Sequence, residues 1–211
     1  GLAVARVVAD ALPDDAVLFV GPSNPVRDLD LAADRLPRVV ANRGLAGIDG
    51  CVSTAVGLAL ADPSPTYALV GDLTFAHDLG ALLVGPHERR PDLTVVVVND
   101  DGGGIFGVLE PGRPEHAEPF ERIFGTPLGL DLQSLCAATG CEYSLAESPK
   151  ALADALTRPE GIRVVEVRVD RAAHVDLDSE RMAMHSRALV AGGHVRQPVR
   201  TLERESLENL H

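Results

Sequence analysis

Tryptophan is missing from this 211-residue chain, and aromatic residues make up only 3% of it. Any core must therefore be built from Ala, Val and Leu. The supply is ample, because hydrophobic residues account for 45% of the sequence. Cysteine is scarce as well: Cys51, Cys136 and Cys141 form no CxxC pair, and an odd number makes a poor disulfide framework. Buried free thiols are expected instead. No apolar run approaches the roughly 20 residues that span a bilayer. The apolar start is interrupted by Arg6 and Asp10 and has no basic leader of the signal-peptide kind. These features lead to the expectation of a soluble, cytoplasmic protein with no membrane span.

Positive charge is also in short supply. Nineteen Lys and Arg face 31 Asp and Glu, for a formal net charge of −12. That balance argues against nucleic acid or an anionic membrane as the main partner. An acidic chain that binds anions must place its few cations locally or recruit a metal. The seven histidines are scattered, without HxxxH or HExxH spacing for a transition metal. His77, five residues after Asp72, reads as structural or as a group lying behind the site residues.

What remains is a regular alternation of helix and strand. Residues 2–12 carry Leu2, Val4, Val7, Val8 and Leu12 at helical spacing, and Pro13-Asp14-Asp15 closes that helix. Strands are expected at Ala16–Val20, Arg38–Ala41, Tyr67–Val70, Leu93–Val98, Glu142–Leu145 and Ile162–Val169. Helices are expected over Asp49–Ala61, from about Thr74 to Val84, and near 131–139 and 149–157. Gly21–Pro25 reads as a loop, and a long Gly/Pro-rich loop follows Val98. Uninterrupted apolar strands alternating with helices imply an α/β fold, a parallel sheet covered by helices on both faces. Residues 1–173 form one expected domain; 174–211 form a charged tail, helical or flexible. The chain starts at Gly1 rather than Met, as a piece of a longer protein would.

In such sheets ligands bind beyond the carboxyl ends of the strands. There Gly71-Asp72-Leu73-Thr74 follows one strand and Asn99-Asp100-Asp101-Gly102-Gly103-Gly104 follows the next, with 26 residues between Asp72 and Asn99. Two carboxylates at adjacent strand ends, with glycine-rich backbone between them, suit Mg²⁺ bridged to a phosphorylated ligand. A helix opening at Thr74 would turn backbone N–H groups toward the same phosphates.

This arrangement resembles the thiamine-diphosphate signature of Gly-Asp-Gly, a spacer of this length, and Asn-Asn. Leu73 stands for the third Gly and Asp100 for the second Asn, both as in the SEPHCHC synthase (MenD) family. The resemblance covers nearly all of residues 1–170. Gly21-Pro22-Ser23-Asn24-Pro25-Val26-Arg27-Asp28 is similar to that family's first active-site loop. Asn42-Arg43-Gly44-Leu45-Ala46-Gly47-Ile48-Asp49-Gly50 is similar to its most distinctive motif, and Gly102–Phe106 completes the set.

The resemblance implies the C-terminal, diphosphate-binding domain of a transferase of menaquinone biosynthesis. Such an enzyme decarboxylates 2-oxoglutarate and joins the remainder to isochorismate. Asp72 and Asp100 would hold Mg²⁺ or Mn²⁺, with the Gly102 carbonyl as a third ligand. Gly71, Leu73, Thr74 and Ser23 would line the diphosphate, and Ile48 would support the bent cofactor. Phe106 and Leu109 would form an apolar wall, while Arg27 and Arg43 would bind substrate carboxylates. The family's essential Glu belongs to a separate N-terminal domain. This stretch alone is therefore expected to be inactive, and the full-length enzyme to be a homo-oligomer.

Plainer readings stand beside these. Asp72 could cap the following helix, Arg27 could pair with Asp28 or Asp30, and Arg43 with Asp49. Phe106 could be core, and Ser23 could satisfy a turn. Gly102–Gly107 also fits GxGxxG, with Glu121 placed for a ribose. However, Asn99-Asp100-Asp101 separates it from the strand, and Pro111 forbids a long helix after it. Another thiamine-dependent carboligase or decarboxylase, or a non-catalytic binding module, remains the alternative.

Overall fold

A computed structural model describes residues 1–42, 46–173 and 175–176. Six strands form one wholly parallel sheet: β1 (Val17–Val20), β2 (Arg38–Val40), β3 (Thr66–Gly71), β4 (Leu93–Asn99), β5 (Glu142–Leu145) and β6 (Ile162–Arg168). Their order is β2-β1-β3-β4-β6-β5. All six correspond to strands expected from the sequence. The connection from β1 runs outward to β2, and the chain then crosses back to place β3 on the other side of β1. The loops after β1 and β3 therefore flank a switch point, and the loop after β4 lies next to it.

The helices are α1 (Leu2–Ala11), α2 (Asn24–Ala32), α3 (Cys51–Ala61), α4 (Asp72–His77), α5 (Ala117–Phe120), α6 (Leu132–Thr139) and α7 (Pro149–Ala155). Side chains alternate along each strand between two cores. Leu18, Val20, Leu69, Val96 and Val165 meet Val4, Val8, Leu29 and Leu152 from α1, α2 and α7. Phe19, Ala68, Val70, Val95, Val97 and Val164 meet Val52, Ala55, Phe75, Leu132 and Cys136 from α3, α4 and α6. Both layers are aliphatic and rich in small residues, as the scarcity of aromatics requires. All three cysteines are buried free thiols.

Three local expectations need correction. Gly21–Pro25 is not wholly loop, because α2 begins at Asn24. Pro25 occupies the first turn of that helix, where a missing N–H costs nothing. The helix expected over Thr74–Val84 starts two residues earlier, at Asp72, and stops at His77. Asp78 is diverted to α3, whose Ser53 donates its backbone N–H (2.6 Å) and its hydroxyl (2.9 Å) to the Asp78 carboxylate. A 3-10 turn, Leu79–Leu82, continues the chain. The long stretch after β4 is not featureless either: 3-10 turns at Gly104–Val108, Glu110–Gly112 and Pro114–His116 lead into α5 and a π-turn over Glu121–Gly125. No long helix opens after the glycines, so the dinucleotide pattern lacks the context it needs. The tail beyond 176 and the Arg43–Leu45 segment lie outside the described residues.

Candidate functional site

β3 and β4 run in register, Gly71 opposite Val98, so the chain leaves both strands side by side. The two halves of the carboxylate motif meet there. Asp72 is 6% exposed, and the backbone N–H groups of Leu73 and Gly102 beside it favour its charged form against that burial. It also faces Asp100, with which it shares a side-chain hydrogen bond. Burial raises Asp72 above the usual carboxylate range. Burial and the charge on Asp72 push Asp100 up to about 7. Two carboxyls held together at that cost form a site poised for a cation.

The backbone around Asp100 is held in an uncommon shape. Asp101 has φ 52° and Gly102 has φ 140°, a conformation that favours glycine at 102. A Cβ on Gly102 would collide with the Gly125 carbonyl, one on Gly103 with the Phe124 carbonyl, and one on Gly104 with Oδ2 of Asp100. All three glycines are thus required by close approach, and the Gly103 N–H donates to the Gly125 carbonyl at 2.7 Å. Across the switch point Ser23 also has positive φ, 72°, where a non-glycine residue is strained. Of the three described non-glycine residues with positive φ, two sit on these strand-end loops, and the third, Thr126, ends the π-turn packed against them.

Donor chemistry fits a hard, oxygen-seeking cation, Mg²⁺ or Mn²⁺, rather than a His/Cys-ligated metal such as zinc. No group of three His, Cys, Asp or Glu side chains converges among the described residues. Mg²⁺ characteristically takes one or two carboxylates and completes its octahedron with phosphate oxygens and water. The Asp72–Asp100 pair beside a glycine-rich loop meets that requirement.

The remaining candidates distribute as follows. Thr74 is buried in the first turn of α4, and Leu73 and Ser23 are half-buried. Ile48 is half-buried on the loop before α3. Phe106 is 36% exposed and packs on Phe124, with ring centroids 5.5 Å apart; Leu109 is 49% exposed. Phe106 is therefore not core. Arg27 is exposed on α2, and its Nη1 donates to the Ser23 carbonyl at 2.7 Å. His77 lies 3.7 Å from Asp49, linking α4 to the loop before α3. Arg43 lies outside the described residues. A groove of about 410 Å³ along α1 includes none of these candidates.

Sequence reasoning missed two neighbours of the glycine loop. Arg171 packs against Gly102, Gly104 and Gly125 and pairs with Glu121 at 3.1 Å. Glu166, 1% exposed, reaches Asn99 from β6. A Glu between Val165 and Val167, where the strand is otherwise apolar, was the available signal.

A parallel sheet with its binding loops gathered at a switch point, and a buried carboxylate pair facing a glycine-rich turn, defines a cofactor-binding α/β domain. A family model for the thiamine pyrophosphate enzyme C-terminal TPP-binding domain matches residues 28–167. The chain belongs to that family.

Among curated proteins, a 2-succinyl-5-enolpyruvyl-6-hydroxy-3-cyclohexene-1-carboxylate (SEPHCHC) synthase from Saccharopolyspora erythraea is 59% identical over 174 residues, covering 82% of this chain and 31% of the relative. A synthase of the same name from Nocardioides is 53% identical over 189 residues, covering 86% and 35%. The chain thus spans about a third of the length of these relatives. Among solved structures, benzoylformate decarboxylase from Polynucleobacter necessarius superposes with a TM-score of 0.66 at 22% identity. That match covers 81% of this chain and 33% of the other, and confirms the fold.

Proposed function

We propose that this chain is the thiamine-diphosphate- and Mg²⁺-binding domain of a SEPHCHC synthase, which decarboxylates 2-oxoglutarate and adds the product to isochorismate in menaquinone biosynthesis. The carrying observation is the meeting of Asp72 with Asp100 and the Gly102 N–H, across the two loops that the motif spacing singled out. The identity of the curated relatives supports the choice among thiamine enzymes. Bound thiamine diphosphate supplies the ring that takes up the electron pair released on decarboxylation.

In this reading Asp72, Asp100 and the Gly102 carbonyl hold the metal, and Gly71, Leu73, Thr74 and Ser23 line the diphosphate. Ile48 supports the cofactor from below, Phe106 and Leu109 wall the reacting centre, and Arg27 and Arg43 take substrate carboxylates. Ile123 and Leu128 are more than half exposed, on the same stretch of chain as Phe106 and Leu109. Exposed apolar side chains of this kind suit a surface that an N-terminal domain covers. A full-length homo-oligomer in the cytoplasm goes with this reading, and residues 1–211 alone are expected to show no turnover. No helix among the described residues is long and apolar enough to cross a membrane.

The test is Asp72→Ala in the full-length protein. Mg²⁺-dependent binding of thiamine diphosphate, followed by calorimetry, is expected to vanish. Unchanged affinity would remove the metal assignment.

A further inference from the structure

We propose that Glu166 is a positioning residue for the metal loop, acting through Asn99 to fix the turn that carries Asp100. The inference rests on the functional reading above.

Glu166 projects from the middle of the sheet, in register with Val97 of β4, on the same face as Ile162 and Val164. A carboxylate there is costly, and an aliphatic side chain would pack more cheaply. It is retained by three donors. The Asn99 Nδ2 and Arg168 Nε groups donate to Oε1, each at 2.8 Å, and the Tyr143 hydroxyl donates to Oε2 at 2.6 Å. Burial alone would raise this carboxyl; the three hydrogen bonds outweigh it and hold the group below its ordinary range.

The consequence falls on Asn99. A carboxylate only accepts, so it fixes the Asn99 amide with its NH₂ toward Glu166 and its oxygen toward the loop. That oxygen accepts the Asp101 N–H at 3.0 Å, while the Asn99 carbonyl takes the Val169 N–H at 2.9 Å. The hydrogen bond to Asp101 closes an Asx turn around Asp100, at the point where the backbone enters its left-handed conformation. Glu166 thereby selects the one amide orientation that pins this turn, and the turn sets Asp100 against Asp72. Groups behind the ligands of a metal commonly tune affinity in this way.

The test measures Kd for Mg²⁺–thiamine diphosphate and the thermal midpoint in the full-length protein. Glu166→Gln is expected to weaken binding by about tenfold, because a Gln amide cannot serve three donors. Asn99→Ala is expected to lose about as much, and the double variant no more than either single one, since both act through one hydrogen bond. Tyr143→Phe, which removes a donor remote from the loop, is expected to lower the midpoint with affinity kept within about twofold. Wild-type affinity in a folded Glu166→Gln, or losses that add in the double variant, overturns the proposal. If Glu166→Gln does not fold, Asn99→Ala decides, and retained affinity there overturns it. Should Asp72→Ala bind normally, the metal reading itself has failed, a result separable from these.

Discussion

Gly104 lies so close to Asp100 that a Cβ on the glycine would overlap Oδ2 of the carboxylate. The glycine is therefore a spatial requirement of the acid, independent of backbone conformation. Gly104→Ala must displace either Asp100 or the loop, at a cost of about 1–3 kcal/mol for overpacking. We expect a lower thermal midpoint together with at least about tenfold weaker Mg²⁺–thiamine diphosphate binding in the full-length protein. Loss of stability with affinity intact would place Asp100 outside the metal shell.

The Asp72–Asp100 pair has a pH signature. Asp100 is pushed up to about 7 by burial and by its neighbour, from an ordinary 3.8. Without metal, its folded value lies above its unfolded one, so stability falls as pH rises from the ordinary carboxylate range to about 7. Metal binding requires the ionised form, so at pH 6 the pair should bind about tenfold more weakly than at pH 8 on this account alone. The diphosphate titrates too, so the informative quantity is the ratio of Kd values at the two pH values, compared with that of Asp100→Asn. A smaller ratio in the variant is expected; equal ratios would show that Asp100 does not titrate on binding.

Ser23 holds φ 72° and ψ −136°, a region that glycine tolerates and serine does not. Ser23→Gly should therefore raise stability by about 1 kcal/mol. If the serine is there for its hydroxyl, cofactor affinity should fall in the same variant. A gain in midpoint with unchanged Kd would reduce Ser23 to a turn residue.

The parallel sheet was legible because its central strands, β1, β3 and β4, are short runs rich in Val, Leu and Ala bounded by breakers and too short for helices. The motif loops were legible for the same reason, since they begin where those runs stop. What the sequence concealed depends on neighbours remote in the chain. Asp78 ends α4 because Ser53 claims its carboxylate from another helix. The role of Glu166 in its strand depends on Asn99, 67 residues away in the chain. Pro25 looked like a loop residue although the first turn of a helix accepts proline equally well. Phe106, by contrast, required only its surface exposure to exclude the core reading.

On the function proposed above, substrate recognition turns on arginine. 2-Oxoglutarate carries a distal carboxylate, isochorismate brings more, and the chain has a net charge of −12. Selectivity therefore needs cations within the cleft. Arg27 stands on α2 immediately after the Ser23 loop and reaches back to its carbonyl at 2.7 Å. Removing one charge-assisted hydrogen bond should cost about 2–3 kcal/mol, roughly a hundredfold in substrate affinity. Arg27→Ala and Arg43→Ala in the full-length protein are each expected to raise the apparent KM for 2-oxoglutarate or isochorismate, with the Kd for thiamine diphosphate nearly intact. The hydrogen bond to Ser23 gives Arg27 a second way to act, and the two readouts separate them. If Arg27→Ala weakens cofactor binding while Arg43→Ala does not, Arg27 serves the Ser23 loop and the diphosphate, and Arg43 alone keeps the substrate role. If both variants retain wild-type kinetics, neither guanidinium meets a substrate carboxylate, and the oxo-acid pocket must draw its cations from the rest of the full-length enzyme.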